Sequence, residues 1–319
     1  MWRRIEIRLH TSIYVSLKLQ LTIRTWIALS AALLLWASAY AGIRVGLAAY
    51  SPAHLALLRF SIASVVLAIY ASTTKFRLAR LRDVPQLVLT GIAGISLYNL
   101  MLNYGEVSVS AGVSSLLISS APIWIALLSI FMLGERLTYW GWGGVFVSFL
   151  GVALIAAGEG NGLHFSTRAL LLAVAAFSSA LYIVMQKQLL KIYTAVEVTT
   201  YSIWFGTLLL LPFGGGLIHS IRTAPLNATM AIVYLGIFPA AIAFTSWAYA
   251  ISHGPVNRIS SFLYLVPVLA IGIAWVWLGE IPRMMSLLGG VIALAGVVIV
   301  NVWGKSSVEI PATPTPAKA

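Results

Sequence analysis

Shifted by 145 residues, the chain aligns with itself without a gap. Pro122 falls on Pro267 and Leu133-Gly134-Glu135 on Leu278-Gly279-Glu280, while Gly91, Tyr104, Ser115, Gly144 and Gly151 fall on Gly236, Tyr249, Ser260, Gly289 and Gly296. A duplication of this kind limits the fold to two similar halves. Each copy carries five apolar stretches long enough to cross a bilayer, and an odd number turns the second copy upside down relative to the first. Inverted repeats build carriers around a site at the bilayer midplane.

Composition sets the solvent. Of the residues 60% are hydrophobic and 9% charged, with a mean hydropathy of +0.96, against roughly 25% charge in a soluble domain. Most of the chain therefore faces lipid or other apolar helices. With no cysteine, disulfides, thiolate metal sites and cysteine nucleophiles are excluded. The formal charge of +12 fits the orientation of a membrane protein better than a nucleic-acid partner.

Apolar runs separated by short polar turns predict ten spans, near 24–47, 53–73, 84–106, 110–132, 139–158, 167–187, 195–215, 227–251, 256–279 and 284–303. The expected fold is an all-α integral membrane protein of ten transmembrane helices in two inverted five-helix repeats, 24–158 and 159–303. With the N-terminus inside, fifteen of the 20 Lys and Arg residues lie on the cytoplasmic side. Only Arg168, Arg222 and Arg283 lie outside, and Arg44 and Arg59 sit within spans. Both termini are therefore expected in the cytoplasm, in a bacterial inner membrane. Residues 1–23, with Arg3, Arg4 and Arg8 among Trp2, Ile5 and Ile7, read as a basic cytoplasmic or interfacial segment. Residues 304–319, with Pro311, Pro314 and Pro316, read as a disordered cytoplasmic tail.

Several motifs resemble the EamA branch of the drug/metabolite transporter superfamily across about residues 25–303. In the first copy they are Trp36-Ala37-Ser38, Pro52 followed by Arg59-Phe60, Pro122, Leu133-Gly134-Glu135-Arg136-Leu137, Gly144 and Gly151. In the second they are Pro267, Leu278-Gly279-Glu280, Gly289 and Gly296. Two features depart from the pattern. Glu280 is followed by Ile281-Pro282, and the sixth span, around Ser178 to Gln188, has no Trp-containing counterpart of the first. The resemblance implies a ten-helix fold, alternating access between the halves and export of small metabolites such as amino acids.

The residues support the same class independently. Pro122 and Pro267 fall mid-span, where each removes a backbone hydrogen bond and kinks its helix; the alternative is a bend that serves packing alone. Polar groups inside spans carry more information, because lipid cannot satisfy them. Asn99, Asn103 and Glu106 recur at helical spacing and share a face turned into the bundle. Trp36, Tyr40 and Arg44 repeat in the first span, Tyr182 and Gln186 in the sixth, Thr245 and Tyr249 in the eighth, and Ser260 and Tyr264 in the ninth. Together they suggest an aromatic box with amide and hydroxyl groups, whose substrate-binding residues would be Trp36, Tyr40, Asn99, Asn103, Tyr182, Tyr249, Ser260 and Tyr264. Each is open to a plainer reading as interfacial belt, helix packing or interhelical hydrogen bond.

No acidic residue falls at mid-span, which points to facilitated diffusion or exchange rather than coupling through a buried carboxylate. Glu135 and Glu280 read as structural groups that close a turn and favour the next helix N-terminus. Arg59 is placed either to snorkel outward or to pair with Glu106 as an outer gate. Gly42-x-x-x-Gly46 offers a close-packing face compatible with a homodimer. The chain has no nucleophile elbow, P-loop, zinc-binding His pair or dinucleotide fingerprint, so neither an enzyme nor a cofactor is expected. The reading is a transporter, in the export direction, of small neutral or zwitterionic metabolites, with the bilayer and a small-molecule substrate as partners. A scaffold or sensor of the same fold without flux is the alternative.

Overall fold

The computed structural model describes residues 22–133, 138–158, 167–253, 259 and 261–303. The N-terminal segment up to residue 21, the Pro-rich tail, Glu135 with its neighbours Gly134 to Leu137, and Ser260 lie outside the described residues. Among those described, all regular structure is helical. In order the helices are α1 (Ile23–Leu47), α2 (Pro52–Ser72), α3 (Leu81–Glu106), α4 (Ala111–Ile118), α5 (Ala121–Leu133), α6 (Tyr139–Gly158), α7 (Thr167–Leu189), α8 (Ala195–Leu210), α9 (Leu217–Thr223), α10 (Leu226–Ser252), α11 (Leu265–Leu278) and α12 (Met284–Trp303).

Six of these runs are long and apolar enough to cross a membrane: α1, α2, α3, α7, α8 extended to Gly214, and α10. The segments Ala111–Ile125, Tyr139–Ile155, Phe262–Leu278 and Met284–Gly296 are shorter and equally apolar. The 25 residues of α1 reach about 37 Å at 1.5 Å per residue, more than the hydrocarbon core. The chain is a multi-pass membrane protein. Its helix starts follow ordinary capping chemistry. Thr22, Ser51, Ser110 and Thr194 each accept a hydrogen bond from a backbone N–H in the first turn of α1, α2, α4 and α8.

Helix pairing follows the duplication. α1 packs on α10 and α11, and its repeat mate α7 packs on α3 and on α4 and α5. α2 against α10 is matched by α8 against α3, while α6–α12 and α2–α8 pair each element with its own mate, and α4 packs on α11, the mate of α5. The α6–α12 crossing is the tightest. A side chain at Gly151 would collide with the backbone of Ala293, and one at Gly289 would come within 2.8 Å of the Gly151 carbonyl. Ser148 Oγ donates across it to the Ala293 carbonyl at 2.9 Å. Small residues here allow the close backbone approach on which helix association in lipid depends. Gly42 and Gly46 face Leu235 and Leu55 of the same chain, so that stripe is used for internal packing.

Two departures from the sequence expectation matter for function. The stretch expected as one span near 110–132 is broken: α4 ends at Ile118 and α5 begins at Ala121. Pro122 has no N–H for the Ile118 carbonyl and its ring crowds the preceding turn. Ser119 and Ser120 turn their hydroxyls back onto the carbonyls of Ser115 and Leu117, at 2.8 and 2.7 Å. In the second copy a 3-10 turn, Ser261–Tyr264, precedes α11, in which Pro267 lies.

The second departure has no signal in the hydrophobic pattern. α3 widens into a π-helix over Ile92–Leu97 and α10 does so over Gly236–Ile242, ending at positions related by the repeat. Carbonyls loosened by the wider turn take side-chain donors instead. Asn99 Nδ2 donates to Ile95 at 2.8 Å, Ser178 Oγ to Ala93 at 2.7 Å, and in the second copy Thr245 Oγ1 to Ala241 at 2.8 Å.

Candidate functional site

Where α1, α3, α7 and α10 converge on the break between α4 and α5, they leave a cavity of about 80 Å³. Trp36, Ala39, Tyr40 and Ile43 of α1 line one wall, and Gly94, Tyr98 and Leu102 of α3 another. Ile118, Ser119, Ala121 and Pro122 at the break, Ser179, Tyr182 and Ile183 of α7, Phe244 of α10, and Leu263 and Val266 at the start of α11 complete it, with Arg59 reaching in from α2. Ile118 and Leu263, and likewise Ala121 and Val266, are repeat mates. Both proline-containing segments therefore meet the cavity with equivalent residues.

The walls are aromatic. Trp36 meets Phe244 edge-on at 5.4 Å and Trp247 at 5.2 Å between ring centroids, and Tyr182 lies 6.0 Å from Phe244. Gln186 Nε2 donates to the Tyr182 hydroxyl at 2.6 Å, fixing the ring from below. Gly94 makes room for it, since a side chain there would run into the Tyr182 ring. A cavity with apolar walls and a few convergent polar groups is the usual form of a small-molecule site.

Trp36, Tyr40, Tyr182, Pro122 and Arg59 thus stand at the cavity. Asn99 lies behind it, fully buried, and accepts a hydrogen bond at Oδ1 from Arg59 Nη1 at 3.2 Å. Asn103 is turned toward α2, where its Nδ2 donates to the Pro52 carbonyl at 3.0 Å. Tyr249 stacks on His253 at 4.0 Å near the end of α10, and Tyr264 packs against Ile123 and Val145. Pro267 is buried in α11 beside the wall residue Val266. Ser260 is outside the described residues.

Arg59 does not snorkel. It is 2% exposed, because α2 packs against α3 and Asn99 offers it an oxygen inside the bundle. Glu106 is also fully buried, but no ion pair joins the two, and both carboxylate oxygens of Glu106 lack a hydrogen-bond partner. The ion pair at this end is instead Arg44–Glu280, with Nε 3.0 Å from Oε1. Arg44 Nη1 also donates to the carbonyl of Glu106 at 2.7 Å, and Glu280 Oε2 accepts from the N–H of Ala111 at 2.9 Å, capping α4. One contact set thus joins α1, the end of α3, the start of α4 and the end of α11.

The Leu278-Gly279-Glu280 motif makes this geometry. Gly279 adopts a left-handed conformation, φ 69°, which ends α11 and lets Glu280 N donate back to the Ala274 carbonyl at 3.3 Å. The turn aims the Glu280 side chain across the repeat boundary, at α4 rather than at the helix that follows. Arg44, near the end of the first span, and an acid in a duplicated motif were the available signals. Tyr98, Phe244 and Leu102 were missed because nothing separates a wall residue from a packing residue in a uniformly apolar run.

The opposite end is tied differently. Arg77, in the link between α2 and α3, donates from Nε and Nη2 to the two Glu197 oxygens at 3.0 Å each, and its own N–H goes to Oε1 at 3.0 Å. Glu197 also closes a capping box with Thr194 at the start of α8. The Tyr201 hydroxyl bridges Arg77 and Ala79 backbone, and the Tyr193 hydroxyl joins Arg80 N–H to Asp83. Burial of Tyr193 pushes its phenol above the usual range, so it holds its proton as a donor.

Two repeats packed about an aromatic cavity, each with a π turn followed by a proline-containing segment at the cavity wall, make up a multi-pass membrane protein. The comparisons agree: the chain belongs to the EamA-like transporter family, matching it over residues 24–157 and 167–302. It is 43% identical over 240 residues, 75% of this chain and 80% of the other, to a "Probable terminal-alkyne amino-acid exporter" of Streptantibioticus cattleyicolor. It is 42% identical, over 74% of this chain and 77% of the other, to the "Uncharacterized transporter YdfC" of Bacillus subtilis. A "Probable amino-acid metabolite efflux pump" of Salmonella typhimurium is 25% identical over 69% and 79%. A solved crystal structure superposes with a TM-score of 0.62 at 20% identity, covering 86% of this chain and 96% of that one; it shares the fold.

Proposed function

We propose that this transporter exports small neutral or zwitterionic metabolites such as amino acids, by alternating access of two inverted five-helix halves around the aromatic cavity. The observation that carries this is the cavity itself, to which both halves contribute wall residues and both proline-containing segments contribute matched positions. The export direction and the amino-acid class come from the names of the relatives. In this reading there are ten spans, both termini are cytoplasmic by the distribution of Lys and Arg, and the Arg44 end faces outward from the bacterial inner membrane. The Arg44–Glu280 pair then closes the outer path. Opening separates this pair and releases the Glu106 carbonyl and the Ala111 N–H, which water then takes up, a change suited to a gate that moves every cycle.

Counterflow in proteoliposomes loaded with mixed amino acids and related metabolites, read by mass spectrometry, tests the reading. Exchange of a defined subset without an ion gradient is expected. No exchange by folded, inserted protein would favour the scaffold alternative. The absence of native cysteine makes topology directly testable. Single cysteines placed at Lys75 and Val107 should react with an impermeant thiol reagent from opposite sides, Val107 from outside.

A further inference from the structure

Arg59 is a buried cation whose demand the bundle leaves partly unmet. It is 2% exposed and lines the cavity. One N–H, on Nη1, goes to Asn99 Oδ1 at 3.2 Å, and its Nε–H has no partner. The guanidinium lies 5.1 Å from the centroid of the Phe60 ring, which covers it from one side without supplying a counter-charge. Arginine keeps its proton in proteins, and a charge taken out of water is strongly disfavoured unless it is paired.

No carboxylate of the described chain pairs with it. Glu106 is the acid whose field reaches Arg59, but it forms no ion pair with it. Arg44 and Glu280 are engaged with each other at the end of the bundle. The remaining titratable neighbours are the phenols of Tyr40 and Tyr98. With Nη1 occupied by Asn99 and Nε buried without a partner, the guanidinium lacks a counter-charge at the cavity it lines, and a carboxylate there would supply one.

We propose that Arg59 anchors the carboxylate of the cargo. The cavity then selects amphipathic carboxylates, their apolar part resting on Trp36, Tyr182 and Phe244. This rests on the cavity being the transport site and goes beyond it by naming the recognised group. The described lining contains no Asp or Glu, so an amine finds hydroxyls, backbone carbonyls and aromatic faces there but no counter-charge. The carboxylate is the selected group and the amine is tolerated.

The test uses wild-type protein in nanodiscs and two matched sets: leucine, leucinamide and 3-methylbutylamine; phenylalanine, phenylalaninamide and phenethylamine. Thermal stabilisation as a function of concentration gives binding. The carboxylates should bind about tenfold or more tightly than their amides and amines, the scale expected of a charge-assisted hydrogen bond. Arg59→Gln should abolish that preference and Arg59→Lys should keep part of it. Amides binding as well as acids, an equal response to chloride alone, or no response to either acid overturns the proposal. The wild-type comparison does so even if Arg59→Gln fails to fold. Counterflow of the same compounds separates the two readings. Flux without discrimination leaves export standing and removes Arg59 as anchor, whereas discrimination in binding without flux does the reverse.

Discussion

Both ends of the bundle carry an ion pair joining one repeat to the other, yet the two are built for different work. At the Arg77 end, Glu197 is almost buried and is held by three donors of Arg77 and by the Thr194 N–H, while two tyrosine hydroxyls fasten the neighbouring backbone. Breaking it strands backbone groups. At the Arg44 end the partners are 29% and 21% exposed, and most of what they release, water can satisfy at once. The difference separates a seam that satisfies buried backbone from a contact that solvent can replace. An ion pair contributes little to stability where solvent can replace it and much where it also satisfies buried backbone.

The largest effect should come from the seam. Glu197→Ala leaves two backbone N–H groups and the Arg77 guanidinium without their acceptor. We expect a loss of about 2–4 kcal/mol, read as a lowered unfolding temperature in nanodiscs. If it costs no more than a surface substitution, the contrast between the ends fails. Next comes the fixed tie at the Arg44 end. Asn103→Leu removes the hydrogen bond to the Pro52 carbonyl and should cost about 1 kcal/mol in the same measurement. Smallest in stability are Arg44→Gln and Glu280→Gln, each below about 1 kcal/mol. Their signature is access instead: a cysteine at Ser119, in the cavity wall, should react severalfold faster with an impermeant reagent added on the Arg44 side. The double variant should match either single one, because both open the same contact. Additive gains would mean that Arg44 and Glu280 act on separate elements.

The sequence carried the architecture further than the site. The duplication and the apolar runs were legible because they are repeated over many residues, and the six long runs fall where periodicity places them. Asn99, Asn103 and Glu106 share a buried face as their spacing requires, all three lying on the regular helix after the π turn. The π turns themselves were not legible in the hydrophobic period, since an extra residue in a mostly apolar run alters no pattern; Pro239, inside the second turn, was an available marker. The break before Pro122 was foreseen as a kink and came out as a separation into α4 and α5, where two serine hydroxyls donate to carbonyls of the last turn of α4. Glu280 was read as the guardian of its own turn. Its true neighbours, Arg44 and Ala111, lie more than 160 positions away in the chain, and no local rule reaches that far.

The π turns also speak to descent. Such a turn is an α-helix holding one residue more than its hydrogen bonds require. α3 and α10 both hold theirs at the same place, Ile92–Leu97 and Gly236–Ile242, while the two copies align without a gap. Had only one of the two helices acquired the surplus residue, the alignment would slip by one position beyond it. A surplus residue gained by one copy alone is thereby excluded: both repeats carry the widened turn at one register, and in the first its residue Gly94 lines the cavity.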